Sequence, residues 1–437
     1  MNITRDEMQA FRPFATAPIR HRPLPAEFPG AHVLDREEEE ALLGVCRSRS
    51  LYRYHGIDPQ QEAAQFESEF AAFVGVRHAV AVTSGTAALH TALGALGVGP
   101  GQEVIIPAYL WASIAAAVVN LGAIPVLADI DDTFCLNPEA VQRRITSRTS
   151  VILIAHMNGA PGNVMDLVGM ARERGIYLVE DCAQCVGGLI HGRSVGTFGD
   201  IAIFSFQINK NISSGEGGAV ITNSDALWRK AVAVHDVGYS RDHEEKLQME
   251  DSASFAWGRG YRLDELRAAV LRVQLRKLPS TLARLRASKF RIREALEGMQ
   301  GLSLRRLVDP AGDTGAFLLT IFPTERIARA VNARMRWHGI TCSADAVSNV
   351  ILADYGLHIY SNIPALVQKV GTDRSGAPWS LESNRNSVYG YGHGSCPVAD
   401  DLFKRTQLLT IPACLSGRDE QDVIDAFSDS MAVAVQS

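Results

Sequence analysis

The sequence predicts an α/β fold: a large domain with a mainly parallel central sheet covered by helices, followed by a smaller C-terminal α+β domain. Three observations carry this. Short, nearly unbroken apolar runs recur between residues 78 and 222, as expected of strands buried on both faces. Segments long enough for helices separate them, which is the spacing of βαβ units. After about residue 300 the elements shorten and turn residues multiply. With 437 residues, 46% of them hydrophobic, the chain has material for two domains.

In order, residues 1–30 are rich in Pro and Arg and read as an N-terminal arm, laid over the surface or over a partner subunit. The large domain is expected at 31–270 and the small one at 271–437. A helix over 35–47 opens with acidic residues, which suit a helix N-terminus, and a second helix covers 62–73. Strands follow at 78–83, 103–107, 125–128, 150–156, 176–180, 201–206 and 219–222, with a helix starting near Tyr109-Leu110-Trp111. A polar stretch at 239–254 reads as a mobile loop. Residues 258–296 read as a long helix or helix pair, apolar inside and arginine-rich outside, where the domain changes. Beta-type runs at 317–322 and 408–411 and a helix at 419–427 complete the small domain.

Net charge is -5 and no Lys/Arg tract occurs, so the footprint of a nucleic-acid binder is missing. No run has signal-peptide character or membrane-spanning length, and the cytoplasm is the expected location, without a membrane partner. Seven cysteines, an odd number, point to reduced thiols. Cys182 and Cys185 form a CxxC pair, but no second pair or His pair completes a site, and no metal is expected.

The chemistry gathers at strand ends, where ligands of parallel α/β sheets bind. Ser84-Gly85-Thr86 joins the first strand to a helix, offering free N–H groups, hydroxyls and a helix dipole to an anion. An N-cap without a ligand explains the same turn. Asp181 closes the fifth run and reads either as a local cap or as a carboxylate for a protonated pyridine nitrogen. Lys210 follows the sixth run, just before the glycine-rich segment 215–218, and is either a solvated loop lysine or a nucleophile whose pKa burial has lowered.

Taken together, SGTAALHTAL, GVGPGQEVIIPAYLWAS, GAIPVLADID, EDCAQCVGG, FSFQINKNISSGEGG and GYRLDELRAAVLRVQL resemble, in this order and spacing, the DegT/DnrJ/EryC1/StrS sugar aminotransferases. These are fold-type I pyridoxal-phosphate enzymes of the aspartate aminotransferase superfamily. The resemblance implies Lys210 as the Schiff-base lysine and proton carrier, and Asp181 at the pyridine nitrogen. It implies Trp111 on the ring of pyridoxal 5′-phosphate, Gln184 at its phenolic oxygen, and Ser84, Gly85, Thr86 and Ser205 at its phosphate.

The resemblance further implies a homodimer with shared active sites, and a small-molecule amino donor, glutamate or glutamine, with a keto-sugar or keto-cyclitol acceptor in amino-sugar, aminocyclitol or antibiotic biosynthesis. Gln207, where many members have His, resembles the subgroup acting on scyllo-inosose-like ketones. Gly260 stands where the family usually has an Asn that reaches the neighbouring subunit's phosphate, and Arg262 and His358 are substrate candidates. A nucleotide-4-keto-sugar aminotransferase and a non-catalytic regulatory protein on the same scaffold are the alternatives. A deoxysugar dehydratase of the family would carry His at Lys210, and a Rossmann oxidoreductase would need GxGxxG after the first strand.

Overall fold

A computed structural model describes residues 15–242, 244–249, 256–343 and 348–436. Seven strands form the central sheet: β1 (His78–Val82), β2 (Glu103–Pro107), β3 (Ile124–Ala128), β4 (Thr149–Ala155), β5 (Tyr177–Asp181), and, beyond a two-residue hairpin of β6 (Leu189–Ile190) and β7 (Arg193–Ser194), β8 (Ile201–Ser205) and β9 (Gly218–Thr222). Their order is β1-β9-β8-β5-β4-β2-β3. All neighbours pair parallel except that β9 runs antiparallel to both β1 and β8. The carboxyl ends of the other six strands therefore share one edge, and β9 starts there.

Side chains alternate across the sheet, yet both faces are dry. Val80, Ile106, Leu153, Val179 and Ile203 join one apolar cluster, while Ala81, Ile105, Ile152, Leu178 and Phe204 join another on the opposite face. Burial on both faces is why the strands read as unbroken apolar runs. The helix Arg36–Ser48 starts from Asp35, whose side chain and that of Glu38 form a reciprocal capping box. The helix expected near Tyr109 begins at Ala112, with Trp111 extended at its N-cap.

Residues 258–296 give one helix, Glu265–Leu296, which carries Pro279 without a break. We propose the division between the two domains inside this helix. Beyond it, β10 (Ser303–Leu304), β11 (Phe317–Ile321), β12 (Asn349–Ile351) and β13 (Thr406–Thr410) form an antiparallel sheet in the order β10-β11-β13-β12. Helices Glu325–Trp337 and Gly417–Gln436 share a third apolar cluster with it through Val331, Met335, Phe427 and Met431. The last helix runs past residue 427 because its polar Ser-Asp-Ser segment is held from outside. Asp429 accepts from Arg334 at 2.8 Å, from the Ala15 N–H at 2.8 Å, and pairs with His338 at 2.8 Å.

The arm lies over this chain's own small sheet and last helix. Arg20 bonds Asp419 and Asp422, each at 2.7 Å, and the Leu24 N–H donates to the Thr341 carbonyl at 2.9 Å. Residues 1–14 of the arm lie outside the described residues. So do 243 and 250–254 of the loop expected at 239–254; in the described part, an Arg241–Leu247 bridge closes a turn.

Candidate active site

At the end of β1, Ser84 caps the helix Gly85–Ala95, its Oγ accepting from the Ala87 N–H at 3.1 Å. The first amides of that helix have no intrahelical partner. A Cβ on Gly85 would stand 2.8 Å from the Ser205 Cβ at the end of β8, and one on Gly218 would stand 2.4 Å from the Ser84 carbonyl oxygen. Glycine thus lets three chain segments meet around this helix terminus, leaving a cradle of backbone and hydroxyl groups.

Asp181 and Glu180 at the end of β5 are both buried and face different partners. Asp181 Oδ1 accepts from the Ala183 N–H at 2.9 Å. Burial holds the Asp181 carboxyl above the usual range, against the pull of that amide, Lys210 and His156. Glu180 accepts from the N–H groups of Gly196, Phe198 and Gly199 at 2.7–2.8 Å and from His156 at 3.1 Å. Burial raises its pKa, but His156 and the amides outweigh it and hold the carboxyl low. Ligand atoms of His156, Glu180 and Cys182 lie within 4.8 Å of one another, the spacing of a metal site. Glu180 is already taken by four donors, and burial pushes the Cys182 thiol well up, so the trio acts as an internal brace.

Glu180→Gln places an NH₂ among those donors and is expected to lower stability by about 3 kcal/mol in denaturant unfolding. Because the folded carboxyl is depressed, its stabilisation is complete above the unfolded pKa and fades as pH falls. The variant should lose that acid dependence; an unchanged unfolding midpoint would remove the brace.

Lys210 follows β8 in a loop fixed from two sides. Its N–H donates to the Gln207 carbonyl at 2.9 Å, and its own carbonyl accepts from the Gly30 N–H at 3.1 Å. A Cβ on Gly30 would stand 2.8 Å from the Ser213 nitrogen, so the arm reaches the loop only through a glycine. The residue as a whole is half-buried, but the cavity walls enclose its amine. That burial pushes the pKa down to about 8, against the pull of Asp181 and Glu216.

These groups open on one cavity of about 840 Å³. Every sequence-predicted site residue lines it except Arg262, which is turned away, ion-paired with Asp236 and with its guanidinium 5.7 Å from the Tyr52 ring centre. Gln184 Oε1 accepts from the Asn158 N–H at 2.9 Å, and its Nε2 lies 3.1 Å from His358 Nε2. Trp111 is 46% exposed, with the His358 ring centre 5.2 Å from its own. Of the other residues in the segment 358–397, Trp379 packs on Tyr391 and His393 lies 3.8 Å from Asp400. A second cavity of about 280 Å³, beside Arg53, Glu67 and His235, has its central charges paired, Arg53 to Glu67 at 2.8 Å.

Sequence reasoning missed Glu27, Phe28, Asn158, Glu216, Tyr355 and Arg267 in the lining. Asn158 carried a signal, lying in the Asn-Gly turn just beyond a strand end. Glu27 and Phe28 carried none, since only tertiary contact brings the arm here.

Residues 35–344 match the sequence profile of the DegT/DnrJ/EryC1/StrS aminotransferase family. The chain belongs to that family. An L-glutamine:2-deoxy-scyllo-inosose aminotransferase of Micromonospora echinospora is 35% identical over 435 residues, 95% of this chain and 96% of that one. A GDP-perosamine synthase of Vibrio cholerae is 38% identical over 215 residues, 49% of this chain and 57% of that one. The crystal structure of the aminotransferase TlmJ from Streptoalloteichus hindustanus superposes with a TM-score of 0.74 at 26% identity, covering 95% of this chain and 100% of that one. Among the described residues of this family member, no helix is long and apolar enough to cross a membrane.

Proposed function

We propose that the chain is a pyridoxal-phosphate-dependent aminotransferase that takes an amino group from glutamine or glutamate and delivers it to a keto-cyclitol, with a keto-sugar as the neighbouring choice. The observation that carries this is the opening of Lys210, Asp181 and the Ser84–Thr86 helix terminus on a single cavity. Pyridoxal 5′-phosphate supplies, when bound, an electron sink for bond changes at the substrate carbon.

The residues present fit that group. The cradle that a Cβ on Gly85 would fill offers amides and the hydroxyls of Ser84, Thr86 and Ser205 to a phosphate. Asp181 offers a buried carboxylate to a ring N–H⁺, a pairing that would relieve the cost of its own burial. Trp111 offers an exposed aromatic face, and Gln184 an amide hydrogen for the phenolic oxygen. With its pKa near 8, Lys210 has a sizeable neutral fraction for nucleophilic attack and afterwards carries the proton to and from the substrate carbon.

The charge of the lining favours an uncharged polyol ketone over a nucleotide-linked sugar. This chain contributes the lysine and arginine pair Lys210 and Arg267, the latter ion-paired with Asp264, against the carboxylates Glu27, Asp181 and Glu216. A diphosphate would meet more negative than positive groups. Gln207, half-buried in the lining, is the acceptor contact in this reading. The near-full-length likeness to a deoxy-scyllo-inosose aminotransferase points the same way. Arg262, facing away from this cavity, would serve a second copy in a homodimer, a role that a monomer in sedimentation would remove. All seven cysteines are free thiols, which suits the cytoplasm.

The test is spectroscopic. Protein loaded with pyridoxal phosphate should lose its visible band on adding L-glutamine or L-glutamate alone and recover it on adding a keto-cyclitol. No loss with either donor sinks the aminotransferase reading. Recovery with a nucleotide 4-keto-sugar but with no keto-cyclitol overturns the acceptor assignment.

A further inference from the structure

We infer that His358 is a positioning residue for Gln184: it is held as the neutral tautomer protonated on Nδ1, and it directs the second Gln184 amide hydrogen into the cavity. The inference deepens the aminotransferase reading and rests on it for what that hydrogen meets.

The argument starts at Asn158. A backbone N–H can only donate, so the Gln184 atom 2.9 Å from it is the side-chain oxygen, and the amide's orientation follows. Gln184 Nε2 is then a donor. The ring nitrogen 3.1 Å from it, His358 Nε2, must be the acceptor, and a neutral imidazole accepting at Nε2 carries its proton on Nδ1. One of the two amide hydrogens is thereby spoken for. The other is left for the cavity that Gln184 lines.

Both ends of this relay are held in place. The Asn158 backbone is left-handed, at φ 51°, and Arg305 grips its loop from the small sheet. Arg305 is 2% exposed and donates to the carbonyls of Met157 at 2.7 Å, Asn158 at 3.3 Å and Ala160 at 3.4 Å. At the other end, the His358 backbone is left-handed at φ 68°, and its carbonyl accepts from the Leu110 N–H at 2.8 Å. The imidazole lies 5.3 Å from the Tyr355 ring at 26° and 5.2 Å from Trp111 at 48°. Burial and then the Lys210 charge push its pKa to about 3, so the ring stays uncharged and keeps an acceptor. Among the described residues the buried Nδ1 has no hydrogen-bond partner, so the Gln184 amide is the polar contact that selects the tautomer.

Nitrogen-15 NMR of the imidazole in the cofactor-free protein should show His358 Nδ1 protonated and Nε2 bare. His358→Phe keeps the ring and removes the acceptor; His358→Gln supplies a side-chain carbonyl in its place. The Phe variant should bind pyridoxal phosphate roughly five- to tenfold more weakly, the loss of about one hydrogen bond, and shift the visible band or its pH titration. The Gln variant should recover most of both, and in a Gln184→Leu background the Phe change should add nothing. A protonated Nε2, or a Phe variant with unchanged affinity and band, overturns the relay. If the Phe variant fails to fold, the wild-type tautomer decides. Failure of the wild type to take up pyridoxal phosphate sinks the proposed function instead, and leaves the tautomer measurement standing.

Discussion

Lys210→Ala is expected to lower turnover by at least about 10⁴-fold with the fold intact. In the proposed reading the substitution removes both the nucleophile and the proton carrier, and neither Arg267 nor His358 in the lining can replace them. Arg267 is permanently charged and paired with Asp264 at the site's edge. His358 has a pKa near 3 and therefore does not hold a transferable proton near neutrality. Lys210→Arg should fail for the same reason as Ala, because a guanidinium is not deprotonated in proteins.

Stability should move the other way. A lysine whose folded pKa is about 8, against 10.5 unfolded, binds fewer protons when folded, so stability is depressed below pH 8 and recovers as pH rises toward 10.5. Lys210→Met should therefore stabilise the cofactor-free protein at neutral pH by roughly 1–3 kcal/mol and lose that advantage in alkali. The checks are kcat/KM, the visible band with pyridoxal phosphate, and unfolding from pH 7 to 10. A Lys210→Ala enzyme that still turns over would mean that the chemistry is anchored elsewhere.

The sheet was legible because its strands are buried on both faces. Residues 103–107 matched β2 at both ends, and most other strands were displaced by a single residue. Nothing local gave the antiparallel direction of β9, since an apolar run reads alike in either sense. The last helix outran its expected end because Asp429 is stabilised by Arg334 and His338, about 90 residues away. At the site, Ser84, Asp181 and Lys210 stood out by pattern and position at or near strand ends, whereas Ser205 was marked only by the family resemblance. Contacts between distant segments were not. Gly30 meets Lys210, Arg305 meets Asn158, and Gln184 meets His358 across 174 residues, each through a fold-dependent approach that no periodicity encodes. Arg262 shows the converse: its motif was legible, but its side chain faces Asp236 rather than this chain's cavity.

Asp181→Asn separates the two readings of that residue and is expected to lower turnover by roughly 10²–10³-fold. If Asp181 only held the Ala183 N–H, asparagine would serve nearly as well, since the two are comparable caps. What asparagine cannot supply is a negative charge opposite a ring nitrogen, and without it the pyridine loses its proton and its capacity to withdraw electrons. The cofactor-free protein should respond in the opposite sense. Burial raises the folded pKa of Asp181, so its contribution to stability is greatest below the unfolded value of 3.8 and is lost as pH rises through the folded value. Asp181→Asn should then unfold at higher denaturant than wild type at pH 7, and the difference should shrink in acid. Pyridoxal phosphate should reverse the order, because only the wild-type carboxylate gains a cationic partner. A variant with both undiminished turnover and undiminished stabilisation by the cofactor would return Asp181 to the role of a local cap.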